Sequence, residues 1–326
     1  MNNHQIISGL VGIVVIGRNE GSRLIKCLHS VLKAKVPIVY VDSQSSDNSV
    51  AEAEALNVIT IILDTSKPIN AARARNEGFI KLIQDYPDIQ YVHFIDADCE
   101  LADNWLSSAI AVLDEQGQTA VVCGRLHEKY RNQSIYMRLC DMDWYRKPGL
   151  IDACGGIATY RRSVFEQLNG FNETLIAGEE PELCKRIRKN GWNILCLAED
   201  MGTHDSAMVY FSQWWRRCVK VGFGYANGIE WNGWARQYKS TIVWGGCIPL
   251  TILLNLLWTN YSLLLFILYP IQILRVILKS ENLSAYDNII YSIFCILAKF
   301  PQMQGVLEYY LSKIISHKQV IIEYKI

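Results

Sequence analysis

The feature that most constrains this chain is an alternation of short apolar runs and helix-period segments across its first hundred residues. Residues 11–16 are apolar and β-branched, as a buried strand requires. Residues 22–34 carry Leu24, Ile25, Leu28, Val31 and Leu32 at helical spacing. Strand signals recur at 37–41, 58–63 and 91–95, and helical ones at 47–56, where Asp47 suits the N-cap, and at 69–83. Strands and helices in this rhythm predict an α/β domain with a mostly parallel, Rossmann-like sheet covered on both faces. In such sheets ligands bind beyond the carboxyl ends of the strands. Those ends are where the sequence places its polar residues: Arg18-Asn19-Glu20, then Asp42, then Asp96 and Asp98.

Several chemistries are disfavoured by what the sequence lacks. The first strand is followed by Gly17-Arg18-Asn19-Glu20-Gly21 rather than GxGxxG, and no GxxxxGK[ST] occurs, which argues against nicotinamide and P-loop chemistry. Lys+Arg and Asp+Glu both number 32, so the basic excess of a nucleic-acid binder is missing and no nucleic acid is expected as a partner. The ten cysteines are scattered singly without a CxxC pair, against a zinc ribbon or a redox pair. Their mostly apolar neighbours suit small buried thiols in a reducing compartment. No cationic n-region followed by an apolar core opens the chain, so the first domain is expected to stay in the cytoplasm.

Asp96-Ala97-Asp98 directly follows the fourth strand signal. Residues i and i+2 of a strand point the same way, and two close carboxylates repel unless a cation lies between them. A hard divalent ion, Mg²⁺ or Mn²⁺, resolves that repulsion and also holds a diphosphate. Taken alone, the pattern equally fits a solvated turn with a helix cap at Asp98 or Asp103. Downstream, Gly178-Glu179-Glu180-Pro181-Glu182 gathers carboxylates at the start of a helix over 182–189, with proline tolerated in the first turn. Acids there suit the helix dipole; they also suit a general base, which any displacement by a hydroxyl needs.

An ordered set of segments extends these two motifs. Val14-Val15-Ile16-Gly17-Arg18-Asn19-Glu20 is followed by Val41-Asp42-Ser43-Gln44-Ser45-Ser46-Asp47-Asn48-Ser49 and Ala72-Arg73-Ala74-Arg75-Asn76-Glu77-Gly78. Then come Asp96-Ala97-Asp98, Gly155-Gly156, Tyr160-Arg161-Arg162, Gly170-Phe171-Asn172-Glu173 and Gly178-Glu179-Glu180-Pro181-Glu182-Leu183. The set, over roughly residues 11–220, resembles the inverting family 2 glycosyltransferases of the GT-A nucleotide-diphospho-sugar transferase fold. The resemblance implies that Glu20 and Asp42 contact the base and ribose of a nucleotide-sugar. Arg75 would sit beside them, with an ion pair to Asp42 as its structural alternative. Asp96 and Asp98 would bind the ribose and a divalent metal on the diphosphate, and His204 would be a third metal ligand or a phosphate contact. Glu180 stands where the family usually has Asp and is assigned as general base, with Glu179 next. Gln213 and Arg216 fall in register with the QxxRW of processive synthases, but Arg217 replaces the final Trp; either arginine could hold the diphosphate.

The last third is different in kind. Residues 241–257 and 263–274 are apolar, separated by a short uncharged break and flanked by Arg236, Lys239, Arg275 and Lys279. A spanning helix needs about 20 residues, and the flanking cations predict a membrane hairpin with both ends cytoplasmic. An interfacial or buried helix pair is the alternative. Residues 286–315 read as amphipathic, lying on the membrane surface or covering the catalytic domain. The expected organisation is therefore a catalytic domain over 1–235 and membrane-associated helices over 236–326, at the inner (cytoplasmic) membrane with the catalytic domain facing the cytoplasm. The expected activity is sugar transfer from a nucleotide-sugar to a glycan or lipid-linked acceptor in polysaccharide biosynthesis, with other polysaccharide-assembly proteins as further partners. A non-catalytic glycan-assembly partner of the same fold and a sugar-phosphate nucleotidyltransferase remain as alternatives.

Overall fold

The computed structural model describes residues 9–229, 234–256, 260–280 and 283–315. They divide into two compact units: the residues up to Gln133 with Asp143–Ala207, and Ser134–Met142 with the residues from Met208 onward.

The first unit is built on a nine-stranded sheet. Its parallel half comprises β1 (Val11–Gly17), β2 (Ile38–Asp42), β3 (Ile59–Ile62) and β4 (Tyr91–Asp96), in the order β3-β2-β1-β4. Helices α1 (Ser22–Leu32), α2 (Ser49–Ala55) and α3 (Ala71–Asp85) make the crossovers. All five residues of β2 are buried, as are the first six of β1, which is why these strands read as unbroken apolar runs rather than alternating ones. Each expected strand and helix of this half is present to within about two residues at its ends, the usual scatter of element boundaries. One cap differs. The second helix starts at Ser49 with Asn48 in the cap position, while Asp47 accepts from the Ser49 and Gly21 backbone N–H groups.

Beyond β4 the sheet is mixed rather than mostly parallel. The chain continues through β5 (Cys99–Leu101), α4 (Trp105–Glu115), β6 (Thr119–Glu128), α5 (Ile135–Trp144, assigned to the second unit as far as Met142), β7 (Gly149–Leu150), β8 (Ala158–Arg161), α6 (Arg162–Gln167), α7 (Glu179–Lys189) and β9 (Asn193–His204). Strand β8 lies antiparallel between β4 and β6, β6 and β9 are parallel, and β5 and β7 run against β9. Strand β9 extends to His204, well past the expected 193–197, because it pairs with both β6 and β5 over that length. Helix α3 packs tightly on the sheet: a Cβ on Gly78 would lie 2.4 Å from the Val14 side chain. This close approach fixes where Arg75 and Asn76, within the preceding turn, meet the strand ends. Beneath them Phe79, Phe94, Tyr160, Phe165 and Phe171 form one aromatic cluster, with the Phe79 and Phe165 ring centroids 4.7 Å apart.

The second unit is helical: α8 (Phe211–Gly228), α9 (Ala235–Thr241), a π-helical stretch Ile242–Cys247, α10 (Ile248–Asn255), a 3₁₀ stretch Asn260–Ile267, α11 (Leu268–Lys279), α12 (Ala285–Leu297) and α13 (Lys299–Ile315). The division falls at Ala207, earlier than the expected residue 235. The reason is that α8 and α13 pack backbone to backbone. A Cβ on Gly222 would lie 1.9 Å from the Gln302 carbonyl oxygen, and one on Gly305 would lie 1.9 Å from that of Val219. The expected hairpin segments are helical, but irregularly so, through the π and 3₁₀ stretches; residues 257–259 lie outside the described residues. Among the described residues the helical segment long and apolar enough to cross a membrane is Ala285–Ile315, and 44% of its most apolar window is buried within the protein. Leu250, Leu253, Leu264, Ile267, Ile271 and Leu278 are each more than half exposed.

Candidate active site at the strand ends

The loops after β1 and β2 are laced together. Asn19 takes a left-handed conformation (φ 54°), its N–H donates to Ser45 Oγ at 2.9 Å, and its Oδ1 accepts from the Ser46 N–H at 2.7 Å. The Gly21 N–H donates to Asp47 Oδ2 at 3.1 Å. Asp42 closes β2 and is buried; its Oδ1 accepts from the Tyr40 hydroxyl (2.8 Å) and its Oδ2 from the Ser45 N–H (2.7 Å). Burial and the Asp42 charge push the Tyr40 phenol up, so it stays a donor. Glu20 pairs with Arg23 at 2.9 Å.

Arg75 does not pair with Asp42. Its guanidinium spans Asp96 Oδ1 (2.8 Å) and Glu179 Oε1 (2.8 Å) and lies over the Phe171 ring, 5.5 Å from the centroid. Burial alone would disfavour its charge, but the two carboxylates outweigh it and hold Arg75 firmly protonated. Gly156 closes over this bridge: a Cβ there would sit 2.8 Å from Arg75 Nη2 and 3.2 Å from Asp96 Oδ2. Beside it Asn76 acts as a backbone surrogate, donating from Nδ2 to the Phe171 carbonyl (2.8 Å) and accepting at Oδ1 from the Phe171 N–H (2.9 Å). The two segments Ala72–Gly78 and Gly170–Glu173 are thus bound together by Asn76.

Asp96 and Asp98 take different partners. Strand β4 ends at Asp96, so the common direction expected of residues i and i+2 is not imposed on Asp98. Asp98 Oδ2 lies 3.2 Å from His204 Nε2 instead, and the ligand atoms of Asp98, Cys99 and His204 fall within 4.8 Å of one another. Of the three expected metal ligands, this cluster gathers Asp98 and His204. Behind His204, its Nδ1 stands 2.7 Å from Glu128 Oε2, while Glu128 Oε1 accepts from the Ser206 N–H (2.8 Å) and hydroxyl (3.0 Å). Burial by itself would lower the His204 imidazole, but Asp98 and then Glu128 push it up to about 9. A carboxylate oxygen and an imidazole nitrogen side by side, with a second carboxylate fixing the imidazole from behind, are donors that suit Mn²⁺ or Mg²⁺. Sequence reasoning missed Glu128. Its signal was partial: like Asp42 and Asp96 it is an acid at a strand end, but Arg125 and His127 interrupt the apolar run before it.

Helix α7 starts at Glu179, three residues earlier than expected, and turns its first two acids to different sides. Glu179 joins Arg75. Glu180 is buried, and its Oε1 accepts from the Cys154 N–H at 2.7 Å, with Cys184 Sγ at 2.9 Å and Cys154 Sγ at 3.2 Å. No cation pairs with Glu180 among the described residues, whereas Glu182 is engaged by Arg186 at 2.7 Å.

Gln213, Arg216 and Arg217 belong to the second unit. Gln213 Oε1 accepts from the Val209 (2.8 Å) and Tyr210 (3.0 Å) N–H groups and caps α8. Arg216 is exposed on that helix, and Arg217 Nη1 lies 3.0 Å from Cys140 Sγ. Trp214 is a core residue, packed among Tyr136, Phe211 and Phe294.

Residues 12–168 match the family model described as glycosyl transferase family 2. The O-antigen chain rhamnosyltransferase RfbN of Salmonella typhimurium (strain LT2) is 26% identical over 213 residues, which cover 60% of this chain and 66% of that protein. The O-antigen chain rhamnosyltransferase WbaN of Salmonella anatum is 25% identical over 182 residues, covering 51% and 56%. The matches thus span just under two thirds and just over half of these curated relatives. Among solved structures, mannosyltransferase PcManGT from Pyrobaculum calidifontis, in complex with GDP-Man and Mn²⁺, aligns over 95% of this chain and 76% of its own, with 13% identity and a TM-score of 0.49.

Proposed function

Residues 12–168 are a family 2 glycosyltransferase domain of GT-A fold, and on that premise we propose that the protein transfers a sugar from a nucleotide-sugar to a glycan or lipid-linked acceptor, with inversion, during assembly of a surface polysaccharide. The relatives named for O-antigen chains support that acceptor class. The observation that carries the reading is the bridge of Arg75 between Asp96, on the strand that ends in the acidic motif, and Glu179, next to the proposed base. It ties a donor side and an acceptor side into one rigid constellation within the first unit.

Each residue then has a task. Glu20 and Asp42 receive the nucleoside at the ends of β1 and β2. Asp98 and His204 are the residues that would hold a divalent cation, which when bound offsets charge on the diphosphate leaving group. Asp96, held by Arg75, orients the donor beside them. Glu180 takes the proton of the acceptor hydroxyl as it attacks the anomeric carbon from the face opposite the leaving group, and that single displacement inverts the configuration. Glu179 Oε1 is committed to the Arg75 guanidinium at 2.8 Å, whereas among the described residues no cation engages Glu180, which leaves it the candidate to meet the acceptor hydroxyl.

The C-terminal helices attach the enzyme to the inner membrane, with the sheet domain in the cytoplasm where sugar nucleotides are made. The exposed leucines and isoleucines of α10, the 3₁₀ stretch and α11 support this, as does the apolar segment Ala285–Ile315. Two experiments test the reading. A screen of nucleotide-sugars with purified protein and Mn²⁺ should release nucleoside diphosphate for one donor, and Asp98→Ala should abolish metal-dependent donor binding; unchanged affinity in that variant removes the site. Alkaline carbonate should leave the protein in the membrane fraction, and release would make the attachment peripheral.

A further inference from the structure

Two of the ten cysteines, far apart in sequence, meet at the proposed base. Glu180 and Cys184 stand four residues apart on α7, so they share one helix face. That is the spacing by which two side chains of one helix grip one metal ion. Cys154 reaches them from the loop ahead of Gly155-Gly156, and all three residues are buried. Their ligand atoms lie within 4.8 Å of one another. The two sulfurs are 3.6 Å apart, and Glu180 Oε1 is 2.9 Å from Cys184 Sγ and 3.2 Å from Cys154 Sγ. A tetrahedral zinc ion, with bonds of about 2.3 Å to sulfur and about 2.0 Å to oxygen, separates its sulfurs by roughly 3.8 Å and sulfur from oxygen by roughly 3.5 Å. The sulfur pair already stands close to that spacing, and the carboxylate needs to withdraw only by a fraction of an ångström.

We infer that Cys154, Glu180 and Cys184 form a binding site for zinc or a similarly thiophilic divalent cation, distinct from the Asp98–His204 cluster, and that filling it takes the base out of use. Donor chemistry separates the two sites: two thiolates favour zinc strongly over manganese or magnesium, whereas a carboxylate oxygen also accepts those harder ions. On binding, two S–H bonds lose their protons to solvent and two sulfur–metal bonds form, with the Glu180 oxygen as third ligand and water as fourth. The site then carries one net negative charge. The amino-terminal end of α7 favours that charge, and the Arg146 guanidinium lies nearby, its Nη2 3.7 Å from where a Cβ on Gly155 would sit. The Cys154 N–H can keep its bond to Glu180 Oε1, which orients the ligand. Without metal, burial pushes both thiols up, so they stay protonated, and affinity for the ion should fall steeply in acid. The inhibitory consequence rests on the reading of Glu180 as base; the site itself does not.

The test uses the full-length reduced protein with Mn²⁺ present to fill the harder site. Titration with Co²⁺ should develop the ultraviolet thiolate charge-transfer band of a tetrahedral complex at one ion per chain, and Zn²⁺ should bleach it. The band should persist in Cys99→Ser and vanish in the C154S/C184S double variant, with thermal melting confirming that both remain folded. A wild-type protein without the band, or a band that survives in the double variant, overturns the site. In parallel, one equivalent of Zn²⁺ against a large excess of Mn²⁺ should slow sugar transfer by roughly 10²- to 10⁴-fold, the usual contribution of a positioned base, and that slowing should be lost in C154S/C184S; equal slowing in the double variant would place the inhibitory zinc elsewhere and overturn the link to the base. If the band behaves as expected while transfer continues unslowed, the metal site stands and Glu180 is not the base.

Discussion

Glu128 is expected to decide how well His204 serves as a metal ligand, and Glu128→Gln isolates that role. The substitution keeps the side chain's size and can still meet the Ser206 N–H, but it removes the charge 2.7 Å from His204 Nδ1. Carboxylates that orient a metal-binding imidazole typically contribute 10- to 100-fold in affinity, about 1.4–2.7 kcal/mol. A second effect runs the other way. Metal must displace a proton from His204, which Asp98 and Glu128 against the cost of burial hold up to about 9. Wild-type affinity for Mn²⁺ should therefore rise about tenfold per pH unit and level off near pH 9. Loss of Glu128 lowers the His204 pKa, so the variant should level off at a lower pH and on a weaker plateau. At neutral pH the two effects partly cancel; on the plateau the 10- to 100-fold loss is fully visible. Electron paramagnetic resonance of free Mn²⁺, followed anaerobically across the pH range, measures both. A variant with the same plateau and the same break as wild type refutes the positioning role.

Further outcomes follow from the same contacts. In the metal-free protein the raised His204 pKa contributes stability that is fully present below about pH 6.5 and lost as pH rises through about 9, at most about 3 kcal/mol, so calorimetric melting should fall over that interval and Mn²⁺ should suppress the fall. Glu180→Gln should lower transfer by roughly 10²- to 10⁴-fold while donor affinity stays unchanged; near wild-type turnover would shift the assignment to Glu179. Glu179→Gln leaves the buried Arg75 with Asp96 as its remaining carboxylate partner, which should cost up to about 3 kcal/mol in chemical denaturation. Asn76→Ala strips the Phe171 N–H and carbonyl of their buried partner, a loss of roughly 1–3 kcal/mol.

Much of the fold was legible because the first half of the sheet is locally encoded. Strands β1, β2 and β4 are buried on both faces, so each reads as a largely apolar run, and β1 and β2 are each followed directly by a helix. The second half is not encoded in this way. Strand β8 enters antiparallel after a long excursion through α5, and only pairing with distant partners decides its direction. The unit boundary was hidden for a similar reason. Helix α8 looks in sequence like the end of the catalytic domain, but Gly222 and Gly305, 83 residues apart, allow the contact that joins α8 to the C-terminal helices. Two small residues at matching positions carry no signal until the helices are in place.

The site shows the same division between local and distant information. Asp42, Asp96 and Asp98 could be picked out because strand ends are where an α/β sheet places its ligand-binding groups. Partner choice could not. The sequence puts Arg75 beside Glu20 and Asp42, with an Asp42 ion pair as the alternative, yet α3, pressed onto the sheet by Gly78, delivers the guanidinium to Asp96 and to a helix 104 residues later. The argument that separates Glu179 from Glu180 arises only there, since consecutive helix positions point about 100° apart and the arginine claims one of them. Cysteine spacing misled in the opposite direction. Scattered single cysteines argue against a metal site when ligands are sought as sequence neighbours, but Cys154 and Cys184 approach to 3.6 Å through the Gly155-Gly156 loop and α7. A metal site needs convergence of donors in space, and adjacency in sequence is just one way to obtain it. In this chain the convergence occurs around a carboxylate that the proposed reaction itself requires, so occupancy of the site and turnover should exclude each other.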